Sequence, residues 1–403
     1  MLLNKKKELR YVFFGSSTII SRGLEYLVLI FLASYFSKEI YGRFELYKKI
    51  IELTSCFLAF GFPTLIMTYT KSSLSKINFT LLSILFSAIL LIIIIPIFSY
   101  WNILFLIIPI LFYTHFFYSG SIIQSFNLVY LGSQYAGYYK LIVSFLFSLV
   151  IFLFAYYFNY KYKSLINACY LLYLIMLIRY IFIFYNYLSS GLFDNIKKYS
   201  KLFFKILFSS FTLVVTNFVS MAFLYTDIFI INLLDINPMP VIGDYSFVLN
   251  IANVLLIIPL TIVQVDINNV KYDNTLIINL IKKIKKYILL FIIPVIIIYL
   301  LLTNLIVHKF DNTTTLFILV IFAKIFQALT IPYGFFLIIK KDFSFNLMIN
   351  ILSLVLNIVL SYLLYNSFGV YAIAFVSIFV LAFRYLMLKL RLRSEFIKLR
   401  QQI

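Results

Sequence analysis

The chain has 403 residues, of which 64% are hydrophobic and only 12% charged, with a mean hydropathy of +1.03. That leaves too few polar side chains to coat a water-soluble protein, so lipid is the expected solvent. The formal charge of +20 then belongs at the membrane surface, facing anionic headgroups, because no soluble basic domain is present to bind nucleic acid.

Runs of about 20 apolar residues, the length that crosses roughly 30 Å of hydrocarbon, predict twelve helices near 11–36, 49–70, 79–99, 103–131, 141–158, 165–188, 203–234, 245–265, 287–303, 313–339, 345–365 and 370–388. The first run is too long for a signal peptide, lacks a small-residue cleavage site, and is expected to stay as a span. It carries Arg22 and Glu25 in its middle. Arg22 lies about 18 Å along the helix from Arg10, beyond comfortable snorkelling. Gly15, Thr18, Arg22 and Glu25 step by three or four and form one polar face. Charges held in hydrocarbon mark a path for something polar to cross, or else pair with each other and fix helix packing; both readings stay open here.

The second run holds Gly61 and Pro63, an expected bending point. His115, in the fourth run, suits proton transfer by its ordinary pKa, and equally suits a packed, hydrogen-bonded role. Arg179, in the sixth, either contacts a headgroup or snorkels. The seventh run carries a stripe of Ser209, Thr212, Thr216 and Ser220 that ends at Asp227, a candidate for a coupling proton or sodium ion or a partner to a basic group. Pro259 sits in the eighth run. The segment from Asp266 to Lys286 mixes Ile and Leu with Lys282, Lys283, Lys285 and Lys286, an amphipathic pattern suited to the inner membrane surface. In the tenth run Lys324, with Gln327, Thr330 and the bend-forming Pro332, offers a second cationic contact. Along the eleventh, Asn346, Asn350, Ser353, Asn357 and Ser361 make a polar seam, either interhelical glue or a sugar-contacting wall. Cys56 and Cys169 lie in apolar runs and suggest neither a disulfide framework nor a metal site.

Lys and Arg concentrate in the alternate connections that share a side with the N-terminus, which predicts both termini in the cytoplasm. Tyr41-Gly42-Arg43-Phe44 after the first run has a counterpart in Ile242-Gly243-Asp244-Tyr245 after the seventh. Each leads into a helix with a far proline, Pro63 or Pro259. The expectation is an all-α polytopic membrane protein of two parallel-related six-helix bundles, 1–195 and 196–403, around a central cavity.

These residues resemble a known family. Phe14-Gly15-Ser16-Ser17-Thr18 through Arg22, then Tyr41-Gly42 and Gly61-Phe62-Pro63, are similar to the opening of the polysaccharide flippases (Wzx-type) of the multidrug/oligosaccharidyl-lipid/polysaccharide exporter superfamily. Tyr225-Thr226-Asp227-Ile228-Phe229-Ile230, Gly243-Asp244-Tyr245-Ser246, and the Asn346, Asn350, Asn357 helix with Phe368-Gly369-Val370-Tyr371-Ala372 extend the likeness over nearly the whole chain. The final helix departs from the family's Gly/Ala richness, with Ile373 and Phe375 around Ala374.

The resemblance implies a flippase for undecaprenyl-pyrophosphate-linked repeat units in the bacterial cytoplasmic membrane, serving O-antigen or capsule synthesis. A polysaccharide polymerase and a chain-length regulator would be its partners, and no cofactor is expected. Arg22, Glu25, Lys324, Arg179, Gln327 and Asn357 would line the cavity. Asp227, Glu25 or His115 would couple an ion, and Gly61, Pro63, Pro259 and Pro332 would let the helices bend as the halves rock. Independently, an anionic phosphate headgroup needs buried cations as it crosses, and Arg22 and Lys324 supply them. An ion-coupled multidrug exporter of the same superfamily is the alternative, although cationic drugs favour acidic over basic cavity residues. A glycan polymerase would need a long external catalytic loop, and the longest outside connections are only about a dozen residues by the span count. No phosphate-cradling glycine loop or nucleophile motif points to an enzyme.

Overall fold

The structure, a computed structural model, describes residues 2–70, 72–117, 121–188, 192–209, 211–272, 276–340 and 342–401. Among these residues every regular element is helical. Among the described residues, eleven helical runs are long and apolar enough to span a bilayer, and the chain is a multi-pass membrane protein.

The expected spans are recognisable, with informative departures. The second divides into α2 (Lys38–Ala59) and α3 (Phe62–Tyr69). Helix α2 begins well before the expected position 49 because Lys38, Glu39, Arg43 and Glu45, in the expected connection between the first two spans, are helical. Gly61 separates the pair at φ +71°, a left-handed conformation that suits glycine, and Pro63 opens α3. The fourth span is a chain of short pieces: α5 (Ile107–Phe112), a π-helical turn at Tyr113–Phe117, and α6 (Ile122–Tyr130). The expected seventh span corresponds to the end of α9 (Leu192–Ser209) together with α10 (Phe211–Leu234), and residue 210 lies outside the described residues. Parts of the expected connections, 189–191 and 273–275, lie outside the described residues.

The chain forms two compact units: Met1–Leu29 with Tyr47–Phe218, and Ile30–Leu46 with Val219–Ile403. These differ from the contiguous divisions 1–195 and 196–403 in two places, each with a packing reason. Helix α9 is amphipathic, and its Phe203, Ile206 and Leu207 join Phe62, Leu65 and Ile66 of α3 and Phe79 and Leu82 of α4 (Ser73–Tyr100) in one apolar core. Phe203 stacks on Phe62 with ring centroids 5.5 Å apart. The first unit is completed by most of α1 (Leu2–Tyr35), α7 (Ser133–Tyr156) and α8 (Lys163–Leu188).

The second unit consists mainly of α10, α11 (Pro238–Tyr272), α12 (Leu276–Leu301), α13 (Thr314–Ile339), α14 (Phe343–Phe368) and α15 (Val370–Gln401). The Ile30–Leu46 corner joins it because the repeated Gly42 and Gly243 lie against each other. A Cβ on Gly42 would stand 1.9 Å from the Met239 carbonyl oxygen, and one on Gly243 would stand 2.5 Å from the Lys38 carbonyl oxygen. Only glycine permits this backbone approach. Polar contacts clamp the crossing. Lys38 pairs with Asp244 at 2.7 Å, and the Asn250 amide donates to Glu45 at 3.0 Å and to the Tyr41 hydroxyl at 3.1 Å. Lys309 donates to the Ser34 and Phe36 carbonyls at the end of α1, a cation suited to a helix C-terminus.

Candidate functional site

Most of the sequence-derived polar candidates fall into two groups, one in each unit. In the second unit, Asp227 of α10 is 7% exposed and is hydrogen-bonded from three other helices. The Asn357 amide on α14 donates to Oδ1 at 3.0 Å. Ser377 on α15 donates to Oδ2 at 3.0 Å, and the Tyr245 hydroxyl on α11 donates to the same oxygen. A carboxylate in so apolar a place is tolerable only with such donors. Ser361 donates to the Asn357 side-chain carbonyl at 3.1 Å, leaving the amide aimed at the acid.

Lys324 and Gln327, one helical turn apart on α13, are joined by a 2.8 Å hydrogen bond from the ammonium to the side-chain carbonyl. Both line a cavity of about 20 Å³ that also reaches Asp227, Tyr245 and Ser377. That volume matches one water molecule. It can serve a proton or small ion, and is far too small for a sugar or a drug. Phe223, Ala323, Val376, Val380 and Leu381 form the apolar wall behind it. The Asn seam is buried along its length, from Asn346 to Ser361.

In the first unit, Arg22 and Glu25 pair at 2.9 Å, with side chains 40% and 21% exposed. Lys140 of α7, 9% exposed, reaches Thr18 Oγ1 at 3.4 Å on the same polar face. Lys49 and Glu52 of α2 form a second pair at 3.1 Å, 7% and 14% exposed. Tyr26 lies within electrostatic reach of both pairs. His115 is buried and shares a 2.9 Å hydrogen bond with Ser87. Arg179 donates to the Tyr135 hydroxyl at 3.2 Å on the exposed side of its helix.

The structure therefore brings Asp227, Lys324, Gln327 and Asn357 together, and places Arg22 with Glu25 in the other unit. His115 and Arg179 join neither group. Of the residues expected to permit bending, Gly61 and Pro63 stand where α2 gives way to α3, and Pro259 and Pro332 lie within α11 and α13. Of the stripe leading to Asp227, Thr216 spends its hydroxyl on the Thr212 carbonyl, and the Ser209 side chain lies outside the described residues.

Several participants escape sequence reasoning. Tyr245 and Ser377 carry no charge to draw notice in an apolar run. Lys140 and Lys49 sit at expected span ends, where hydropathy treats a lysine as solvated. The useful signal for Tyr245 is the repeat itself, since it lies two residues after Gly243.

No family model and no curated protein sequence matches the chain. Solved structures do. The fold is similar to an inward-facing multidrug resistance MATE family transporter of the MOP superfamily, with TM-score 0.59 and 14% identity over 94% of this chain and 96% of that one. An outward-facing structure of such a transporter gives TM-score 0.57 and 15% identity over 98% and 97%. The Vibrio cholerae MATE transporter VcmN, as a point mutant, gives 0.55 and 11% over 96% and 95%. The chain thus has a MATE-like polytopic membrane fold.

Proposed function

We propose that this protein is a membrane transporter, not an enzyme, that moves undecaprenyl-pyrophosphate-linked oligosaccharide repeat units across the bacterial cytoplasmic membrane by alternating access, for O-antigen, capsule or a related glycan. The MATE-like fold supports transport as the class. The observation that carries the choice of an anionic cargo is the first unit's polar face. There Arg22, midway along α1 and still 40% exposed at its side chain, lies on the same face as the deeply placed Lys140. With Glu25 paired to Arg22 on that face, two cations stand against one carboxylate, and the net positive charge attracts a pyrophosphate and repels a cationic drug.

Export of small cationic molecules is the second reading, and one observation favours it: Asp227 is a buried carboxylate beside a water-sized space, suited to exchanging a proton or small cation. In the leading reading the same acid couples the ion that drives the lipid. Both termini would face the cytoplasm, and a polymerase and a chain-length regulator would take the product on the far side.

Deletion of the gene, followed by extraction of lipid-linked intermediates and a panel of drug sensitivities, separates the two. Accumulated repeat units with unchanged drug sensitivity support the flippase. Normal intermediates with heightened drug sensitivity refute it.

A further inference from the structure

Connectivity places the end of α11, the start of α12, the ends of α13 and α15 and the start of α14 at one end of the second unit. At that end the first turns of α12 divide by face. Ile277, Leu280, Ile281, Ile284 and Ile288 are buried in an apolar core with Phe336, Leu337, Leu388 and Leu392 of α13 and α15. Lys282, Lys283, Lys285 and Lys286, three and four residues apart on the opposite face, are all exposed. One turn further the outward face becomes wholly apolar: Leu289 is 69% exposed, Leu290 57% and Ile293 63%. Side chains so exposed on a membrane-spanning helix meet acyl chains, so the lysines stand at headgroup depth. Lys389 on α15 is exposed at the same end, and the Asp342 carboxylate there is already held by Arg391 at 2.8 Å.

We propose that this lysine face of α12 is a binding site for the headgroups of anionic phospholipids, recruiting them to one face of the second unit. Two features single it out. The lysines are exposed on the face opposite the core that their own helix buries, and they directly adjoin an apolar surface that needs acyl chains. A phosphodiester lipid satisfies both at once, with its phosphate on the ammonium groups and its tails on Leu289, Leu290 and Ile293. The proposal is independent of the cargo.

The test uses the full-length protein in nanodiscs of phosphatidylglycerol and phosphatidylcholine. The chain's single tryptophan is removed by Trp101→Phe and a reporter placed by Leu290→Trp; quenching by brominated lipids then measures which lipid lies there. The expected result is an anionic preference of about fivefold. It should be lost in the combined Lys282→Gln, Lys283→Gln, Lys285→Gln and Lys286→Gln variant, kept in the corresponding arginine variant, and weakened in the parent by 1 M salt, where the Debye length falls to about 3 Å. No preference in the parent, or a preference unchanged in the glutamine variant, overturns the proposal. Displacement of phosphatidylglycerol by equimolar undecaprenyl pyrophosphate also overturns it, and would make the face a loading site for the carrier.

Discussion

Replacing Gly42 by alanine should be far more damaging than a one-methyl change usually is. The added Cβ would stand 1.9 Å from the Met239 carbonyl oxygen and 2.9 Å from the Gly243 nitrogen. Both are backbone atoms, so no side chain can swing away. Reaching ordinary contact at 3.4 Å requires the helices to separate by about 1.5 Å. A shift of that size takes the 3.0 Å hydrogen bond from Asn250 to Glu45 and the 2.7 Å Lys38–Asp244 pair out of range. Overpacking and the weakened donor to a buried carboxylate together cost roughly 2–5 kcal/mol. The control is Gly334→Ala in α13, where a Cβ meets nothing within 4 Å and helix propensity favours alanine by up to about 1 kcal/mol. Thermal unfolding of both variants in detergent, followed by a thiol-reactive dye at Cys56 and Cys169, measures the difference. A Gly42→Ala midpoint equal to that of the parent would refute the close crossing.

Tyr245→Phe removes a hydroxyl donor from buried Asp227 and should lower stability by roughly 1.5–3 kcal/mol, whereas Asp227→Asn, which keeps the shape, should fold normally and lose ion-dependent transport; counterflow at fixed and collapsed gradients checks the second. Ser87→Ala takes away the partner that His115 holds at 2.9 Å and should cost roughly 1–3 kcal/mol, measured by the same unfolding assay, with transport retained.

Much of the fold is legible in the sequence because hydropathy reports the solvent each helix meets. The alternation of Ile277, Leu280, Ile281 and Ile284 with lysines announces the amphipathic start of α12, and the Gly42 and Gly243 repeat marks two equivalent helix starts. What hydropathy cannot report is which helices meet. The two glycines are legible as a repeat, but their mutual contact at a backbone crossing depends on tertiary geometry. Helix α9 packs its Phe203 face on α3 and α4, a partnership hydropathy does not name, since the same apolar residues serve a bilayer or a protein core equally well. Asp227 was visible as an intramembrane charge, while its partners Tyr245 and Ser377, 18 and 150 residues away, were not. Lys140 falls just before the expected span 141–158, and its burial is not legible there because burial of a lysine near a helix end is decided by its neighbours.

The most direct test of the functional account is leaflet-resolved translocation in proteoliposomes. Purified protein would be reconstituted with a fluorescent undecaprenyl-pyrophosphate oligosaccharide in the inner leaflet, and its arrival outside followed with a membrane-impermeant quencher. The account predicts translocation by the parent protein, at least a tenfold loss with Arg22→Ala, and retention of much of the rate with Arg22→Lys, which keeps the charge. Equal rates in the parent and Arg22→Ala, or no movement of the lipid by a parent protein that instead expels a cationic dye, would contradict it.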